Sequence, residues 1–428
     1  MNTQLIRTTW LAGALLPLIG VTLAADKPAN STEFFFRDGD RIVMLGDSIT
    51  EQLLHSSYVE LWTLARFPSW NLTFRNAGIG GDTAPGGNAR FKRDVLPYQP
   101  TAMTVDFGMN DAEGSLKHFL TGLQGITEQA KNHQIRLALL TPQPVEKSED
   151  GPALEGFASK LEKFSAGIKD IAETNKVAFV DQFHPYLQVL DKARAANPKN
   201  RVTGGDAIHP GPPGQAVMAA EILRGLKFPS LVSSAEIDAA ALEVVDARQC
   251  EITELATGIN DAIEFTRLDA ALPYFPEGAE SILQWTPILD EMNDYRLKVT
   301  GLKPGKYEIR LGGAKVAECS EATLANGVNL AAAALKVGPV AAQIKALVSA
   351  VNAKNSYFHD QIFRGVVLAG SSIPDFVDNR KEMEANIEAQ RAATITKRMA
   401  EMSKYDAAIR QALVIKPHQV AIVPVASK

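Results

Sequence analysis

The chain has 428 residues, with 44 basic and 49 acidic side chains, a formal net charge of -5 and 46% hydrophobic residues. That length holds two domains with a sizeable core and excludes disorder on a large scale. The charges are spread without a long block of one sign, so no nucleic-acid partner is expected.

Residues 1–24 read as a secretory signal peptide, with Arg7 as the basic start, an apolar stretch over 10–23 and a small-residue cleavage site at Thr22-Leu23-Ala24. An uncleaved anchor needs about 20 apolar residues to span a bilayer, more than this stretch offers. The expected location is secreted or periplasmic. A second apolar stretch, 329–351, contains Lys336, Pro339 and Lys345 and is expected as soluble helix, so the mature protein has no expected membrane span.

The first half alternates short apolar runs with amphipathic stretches. Strands are expected at 41–45, 71–75, 101–107, 136–140 and 177–180, and helices at about 56–66, 85–95, 114–133, 153–175 and 212–226. Such βα alternation calls for parallel strands joined by right-handed crossovers, with helices on both faces of the sheet. Ligands then bind outside the carboxyl ends of the strands.

Chemistry-bearing residues fall at those ends. Ser48 follows the first strand in GDSIT, Gly78, Gly80 and Gly81 follow the second in NAGIGGDT, and Asn110 follows the third in GMND. A serine after a strand can be a plain helix cap, glycines can be plain turn formers, and asparagine favours turns. The other reading is a nucleophilic hydroxyl beside backbone and side-chain N–H donors. His209 lies in DAIHP, three residues after Asp206, close enough for the carboxylate to hold one ring nitrogen while the other faces Ser48. His55, His118, His133 and His184 lack that partner pattern and are expected to be structural or surface residues.

In that order, GDSIT, NxGxxGDT, GxND and DxxHP resemble the four sequence blocks of the SGNH (GDSL) hydrolase family, over about 41–226. The resemblance implies a flavodoxin-like three-layer αβα sandwich around a parallel five-stranded sheet, an α/β fold. It implies Ser48 as nucleophile, His209 as general base and Asp206 as the group that orients His209. The backbone N–H of Ser48, that of Gly81 and the amide of Asn110 would form the oxyanion hole. Asp47, Asp82 and Asp111 are assigned to loop structure, and no metal or organic cofactor is required. The implied reaction is hydrolysis of a carboxylic ester through an acyl-enzyme, with a short acyl ester on a glycan as the leading substrate. A lysophospholipid or other lipid ester, acyl transfer to a sugar hydroxyl, and a non-catalytic glycan-binding protein are the alternatives.

The catalytic domain is expected over 33–229 and an accessory region over 230–428. Within the latter, strands are expected at 242–245, 262–267, 295–299 and 307–311, making 236–330 β-rich, and 331–428 reads as helical. The region either binds carbohydrate or a partner, or packs on the catalytic domain and shapes the mouth of its pocket. The cysteines, Cys250 and Cys319, form no metal-binding spacing; an exported chain permits a disulfide between them, and free thiols are the alternative.

Overall fold

The computed structural model describes residues 33–146, 155–370 and 372–426. The proposed signal peptide, residues 1–24, lies outside them. Five strands build the first sheet: β1 (Arg41–Gly46), β2 (Thr73–Gly78), β3 (Ala102–Asp106), β4 (Arg136–Leu140) and β5 (Ala178–Val180). All neighbours are parallel, in the order β2-β1-β3-β4-β5. The strands are near-continuous apolar runs such as RIVMLG and AMTVD because helices cover both faces of the sheet. The α/β sandwich is therefore present, with its sheet order reversing between β1 and β3.

Register decides what this sheet can display. Gly46 pairs with Gly78 and with Asp106, and Asp106 pairs with Leu140, so four strands end level. The loops after β1, β2 and β3 thus emerge side by side. Gly46 and Gly78 are required by close approach: a Cβ on Gly46 would lie 2.1 Å from Thr50 Oγ1, and one on Gly78 2.3 Å from the Glu51 backbone nitrogen.

The second strand starts and ends later than the 71–75 expected. Asn71 is held in the preceding loop by Asp38, whose Oδ1 accepts from its backbone N–H. Asn76, a turn former by type, stays in the strand because its buried amide donates to Thr50 O and Ser56 Oγ and accepts from Gly78 N.

Beyond the helix Pro212–Gly225 come β6 (Leu231–Asp238), β7 (Glu243–Arg248), β8 (Cys250–Thr257), β9 (Ile263–Asp269), β10 (Asp294–Thr300), β11 (Lys306–Leu311), β12 (Ala314–Ser320), β13 (Val328–Asn329) and β14 (His418–Pro424). They form two sheets, β13-β10-β6-β7 and β12-β11-β14-β9-β8. Arg267 on β9 joins them: it pairs with Asp269 at 2.7 Å, donates to Ser233 Oγ on β6 at 2.7 Å and stacks on the ring of Tyr295 on β10.

Two expectations are corrected here, and of the two alternatives for the cysteines one is found. The stretch 228–234, where no strand is expected, contains the start of β6, because the hydroxyl of Ser233 is satisfied between the sheets. The chain is not helical from 331 to its end: after the helices Pro339–Ser356 and Arg380–Ala412 it returns as β14, between β9 and β11. Cys250 and Cys319 are free thiols. They sit on the two outer strands of one five-stranded sheet, with three strands between them and towards opposite ends of those strands, beyond the reach of a disulfide. Burial pushes the Cys250 thiol up to about 11.

The C-terminal region is clamped onto the helix Leu54–Arg66. Lys354 forms a buried ion pair with Glu60, Asn355 Nδ2 donates to Ser57 Oγ at 3.0 Å, and Trp62 meets Tyr274 edge-on at 5.2 Å. This explains why a helix bearing Ser56, Ser57, Glu60 and Thr63 is buried on every side. No helix among the described residues is long and apolar enough to cross a membrane.

Candidate active site

Immediately after β1 the chain turns into the short helix Ser48–Glu51. Its cap is Asp47, whose Oδ1 accepts from the Ile49 N–H at 2.9 Å, so the Ser48 hydroxyl is not used as a cap. Ser48 Oγ instead lies 3.0 Å from His209 Nε2. His209 Nδ1 lies 3.0 Å from Asp206 Oδ2. The other carboxylate oxygen of Asp206 accepts from the backbone N–H groups of Ile208 at 2.8 Å and His209 at 2.7 Å. This turn closes on itself, with Asp206 N donating to His209 O.

Burial raises the Asp206 carboxyl, but those two N–H groups and the His209 ring together outweigh it and hold the carboxyl below its ordinary value. It is therefore charged wherever a neutral His209 needs an acceptor for its Nδ1–H. The pair is open to water, with the His209 side chain 37% and the Asp206 side chain 67% exposed.

The three N–H groups expected to receive the oxyanion lie in loops that follow neighbouring strands. Gly81 adopts φ +75°, the left-handed region that glycine tolerates without strain, and its N–H takes no part in the hydrogen bonds of its loop among the described residues. The same holds for the Ser48 N–H. Asn110 Nδ2 donates to Asp82 O at 2.8 Å, which fixes the amide and leaves its second N–H. Ser48, Gly81 and Asn110 follow β1, β2 and β3 respectively, so the level strand ends put their loops next to one another at the reversal of strand order. A hydroxyl in reach of an oriented imidazole, beside unspent N–H groups, can attack a carbonyl and stabilise the resulting oxyanion.

Beneath the site lie buried carboxyls. Burial, reinforced by the charge of Asp106, pushes Asp47 up to about 8. Burial also raises Asp106 to about 7, against a hydrogen bond from Gln182 Nε2 at 3.0 Å. Asp111 accepts from Ala84 N at 3.0 Å, and Asp82 pairs with Arg90 at 2.6 Å.

Several supporting residues escaped the sequence reading. Gln143 Nε2 donates to Ile208 O, and Glu146 accepts from the backbone of Val202 and Thr203, so the loop after β4 holds the loop that carries His209. Their position just beyond a strand end was the available signal. Arg90, buried, donates to Gly46 O from a helix 44 residues away, with no local signal. One expectation needs correcting: His184 does have a partnered carboxylate, since its Nδ1 is 2.7 Å from Asp181 Oδ2 in the same i,i+3 spacing as His209 and Asp206. No hydroxyl among the described residues bonds its other nitrogen. His55 is a packed histidine, held by Gln215 and pushed down to about 4 by burial.

Residues 44–217 match the model of the GDSL-like Lipase/Acylhydrolase family. The acetylxylan esterase of Geobacillus stearothermophilus is 23% identical over 217 residues, covering 44% of this chain and 95% of that protein. The uncharacterized lipoprotein YqeF of Bacillus subtilis (strain 168) is 37% identical over 83 residues, 18% of this chain and 34% of its own length. Among solved structures, a gut microbial diltiazem-metabolizing enzyme that is 24% identical aligns with a TM-score of 0.76 over 91% of this chain and 98% of its own. That likeness is one of fold, and it extends through the C-terminal region.

Proposed function

We propose that Ser48, His209 and Asp206 carry the reaction of this ester-hydrolysing enzyme, whose residues 44–217 match the GDSL-like lipase/acylhydrolase family. The observation behind the assignment is the continuous chain of 3.0 Å contacts from Ser48 Oγ through both ring nitrogens of His209 to Asp206. Ser48 Oγ attacks the ester carbonyl as His209 Nε2 takes its proton, and Asp206 holds the ring and the positive charge that forms on it. The N–H groups of Ser48 and Gly81 and the free N–H of Asn110 receive the oxyanion. His209 then gives its proton to the leaving alcohol, and a water molecule activated by the same ring releases the acid from the acyl-enzyme.

The proposed substrate is a short acyl ester, acetyl above all, on a glycan outside the cytoplasm. The acetylxylan esterase relative, matched over nearly its whole length, supports the acyl and the glycan parts of this reading. The apolar segment at 10–23 and the lipoprotein relative support export. In the proposed division, 33–229 is the catalytic domain and 230–428 is an accessory scaffold that packs upon it.

Hydrolysis of p-nitrophenyl acetate, butyrate and octanoate by the chain lacking residues 1–24, beside its Ser48→Ala form, tests this. The expected result is fastest turnover on acetate, with a loss of about 10⁴-fold or more in Ser48→Ala and an unchanged melting temperature. Preference for octanoate overturns the short-acyl assignment, and turnover that survives Ser48→Ala overturns the nucleophile.

A further inference from the structure

The loop between β2 and the following helix has glycine at 78, 80 and 81, so its peptide planes are weakly determined by their own sequence. An N–H that is to meet an oxyanion must nevertheless be aimed before the reaction starts. Four hydrogen bonds hold the loop: Ile79 N to Gly46 O, Asp82 N to Ile79 O, Asn110 Nδ2 to Asp82 O, and Gly80 N to Glu51 Oε2 at 2.7 Å. The last is the anchor next to Gly81, and it comes from the final residue of the helix that begins with Ser48.

Glu51 is itself held from outside the first half of the chain. Its Oε1 receives Arg364 Nε at 2.6 Å, and His359 Nε2 stands 3.6 Å away, both from the π-helical segment Tyr357–Val367. That segment is seated by Phe358, which meets Tyr98 edge-on at 5.3 Å and lies under the guanidinium of Arg75. The carboxylate of Glu51 is mostly buried, whereas the Arg364 side chain is 58% exposed. An unpaired carboxylate one helical turn from Ser48 would repel an oxyanion and would be free to leave Gly80. Arg364 counters both effects, as opposite charge and as a directional donor.

We propose that Glu51, oriented and neutralised by Arg364 from the C-terminal region, is a positioning residue for the oxyanion loop, so that the C-terminal region is part of the active site. The inference rests on the hydrolytic reading above, because it gives the Gly81 N–H a transition-state role. It assigns the accessory region a task in turnover, not in recognition of a distant ligand.

The test uses the chain lacking residues 1–24 with Arg364→Gln, Arg364→Lys and Glu51→Ala, scored by steady-state kinetics on p-nitrophenyl acetate and by hydrogen exchange of the 78–83 segment. Arg364→Gln lowers kcat about 5-fold, the weight of one partly exposed ion pair, and Glu51→Ala lowers it roughly 10- to 100-fold, since a charge-assisted acceptor is lost. KM stays within about two-fold in both, because the interaction serves the transition state. Arg364→Lys recovers most of kcat, and exchange of 78–83 rises in the two disabled variants but not in the lysine one.

A fall in kcat with a matching rise in KM and a lower melting temperature would overturn the proposal, marking a merely structural contact. Faster exchange with unchanged kcat also overturns it, since the loop would then be anchored without serving turnover. A wild-type chain that hydrolyses no ester sinks the hydrolytic reading; unchanged exchange in Glu51→Ala then separately removes the anchor.

Discussion

Two polar clusters in this molecule use similar side chains to opposite ends. At the sheet edge, Ser48, His209 and Asp206 are linked in a row, open to water, with the N–H groups of Ser48 and Gly81 outside the loop hydrogen bonds. Between the two C-terminal sheets, Ser233, Arg267, Asp269 and Tyr295 are almost wholly buried and satisfy one another: Asp269 accepts from Ser233, Arg267 and Tyr295 at 2.6–2.9 Å. A serine beside an aspartate is thus reactive or structural according to what remains unspent around it. In the proposed function the first cluster keeps donors in reserve for a charge that appears only during reaction, while the second neutralises a charge that is always there.

This contrast can be broken by experiment. Arg267→Ala leaves Asp269 as an uncompensated buried charge, so a loss of roughly 3–5 kcal/mol of stability is expected in denaturant titration, with kcat of the remaining folded fraction unchanged. A loss under 1 kcal/mol would mean that the cluster is hydrated. Asn110→Ala is expected to act the other way round, lowering turnover about 10²- to 10³-fold with no shift of the melting temperature. Turnover within two-fold of wild type would remove Asn110 from the oxyanion hole.

The smallest effect concerns the carboxyls beneath the site. Asp47 and Asp106 are raised from an ordinary value of 3.8 to about 8 and about 7, chiefly by burial, so the folded chain holds these protons more tightly than the unfolded one. The resulting stabilisation is full below about pH 4 and is lost as pH rises through 7 and 8. Asp206, held below its ordinary value, works in the opposite sense and loses its contribution only as pH falls into the acid range. The Asp106→Asn variant keeps an acceptor for Gln182 but cannot ionise. Its melting temperature should therefore decline less than that of wild type between about pH 5 and pH 8. Parallel melting profiles across that range would show that Asp106 does not ionise with unfolding as stated.

One carboxylate lies between these extremes. Glu51 faces the reactive loop with one oxygen and the C-terminal region with the other, and it shares features of both clusters. Variants of Glu51 are expected to shift kcat more than stability, whereas variants of the buried Lys354–Glu60 pair, which touches no site loop, are expected to shift stability more than kcat.

What was readable in the chain was local. Short apolar runs alternating with amphipathic stretches marked the five parallel strands, and because parallel strands expose one common edge, residues after three different strands could be assigned to one place from the sequence. The Asp206–His209 pair was readable for the same reason, being three residues apart in a turn that closes on its own backbone. The tertiary structure alone decided which distant groups meet. Hydrophobic periodicity records that a face is buried but not what buries it. Nothing local told that Glu51 faces Arg364, 313 residues on, that Glu60 is neutralised by Lys354, or that β14 inserts between β9 and β11. Nor could spacing along the chain place the two cysteines on opposite edges of one sheet, since that separation is set by strand order.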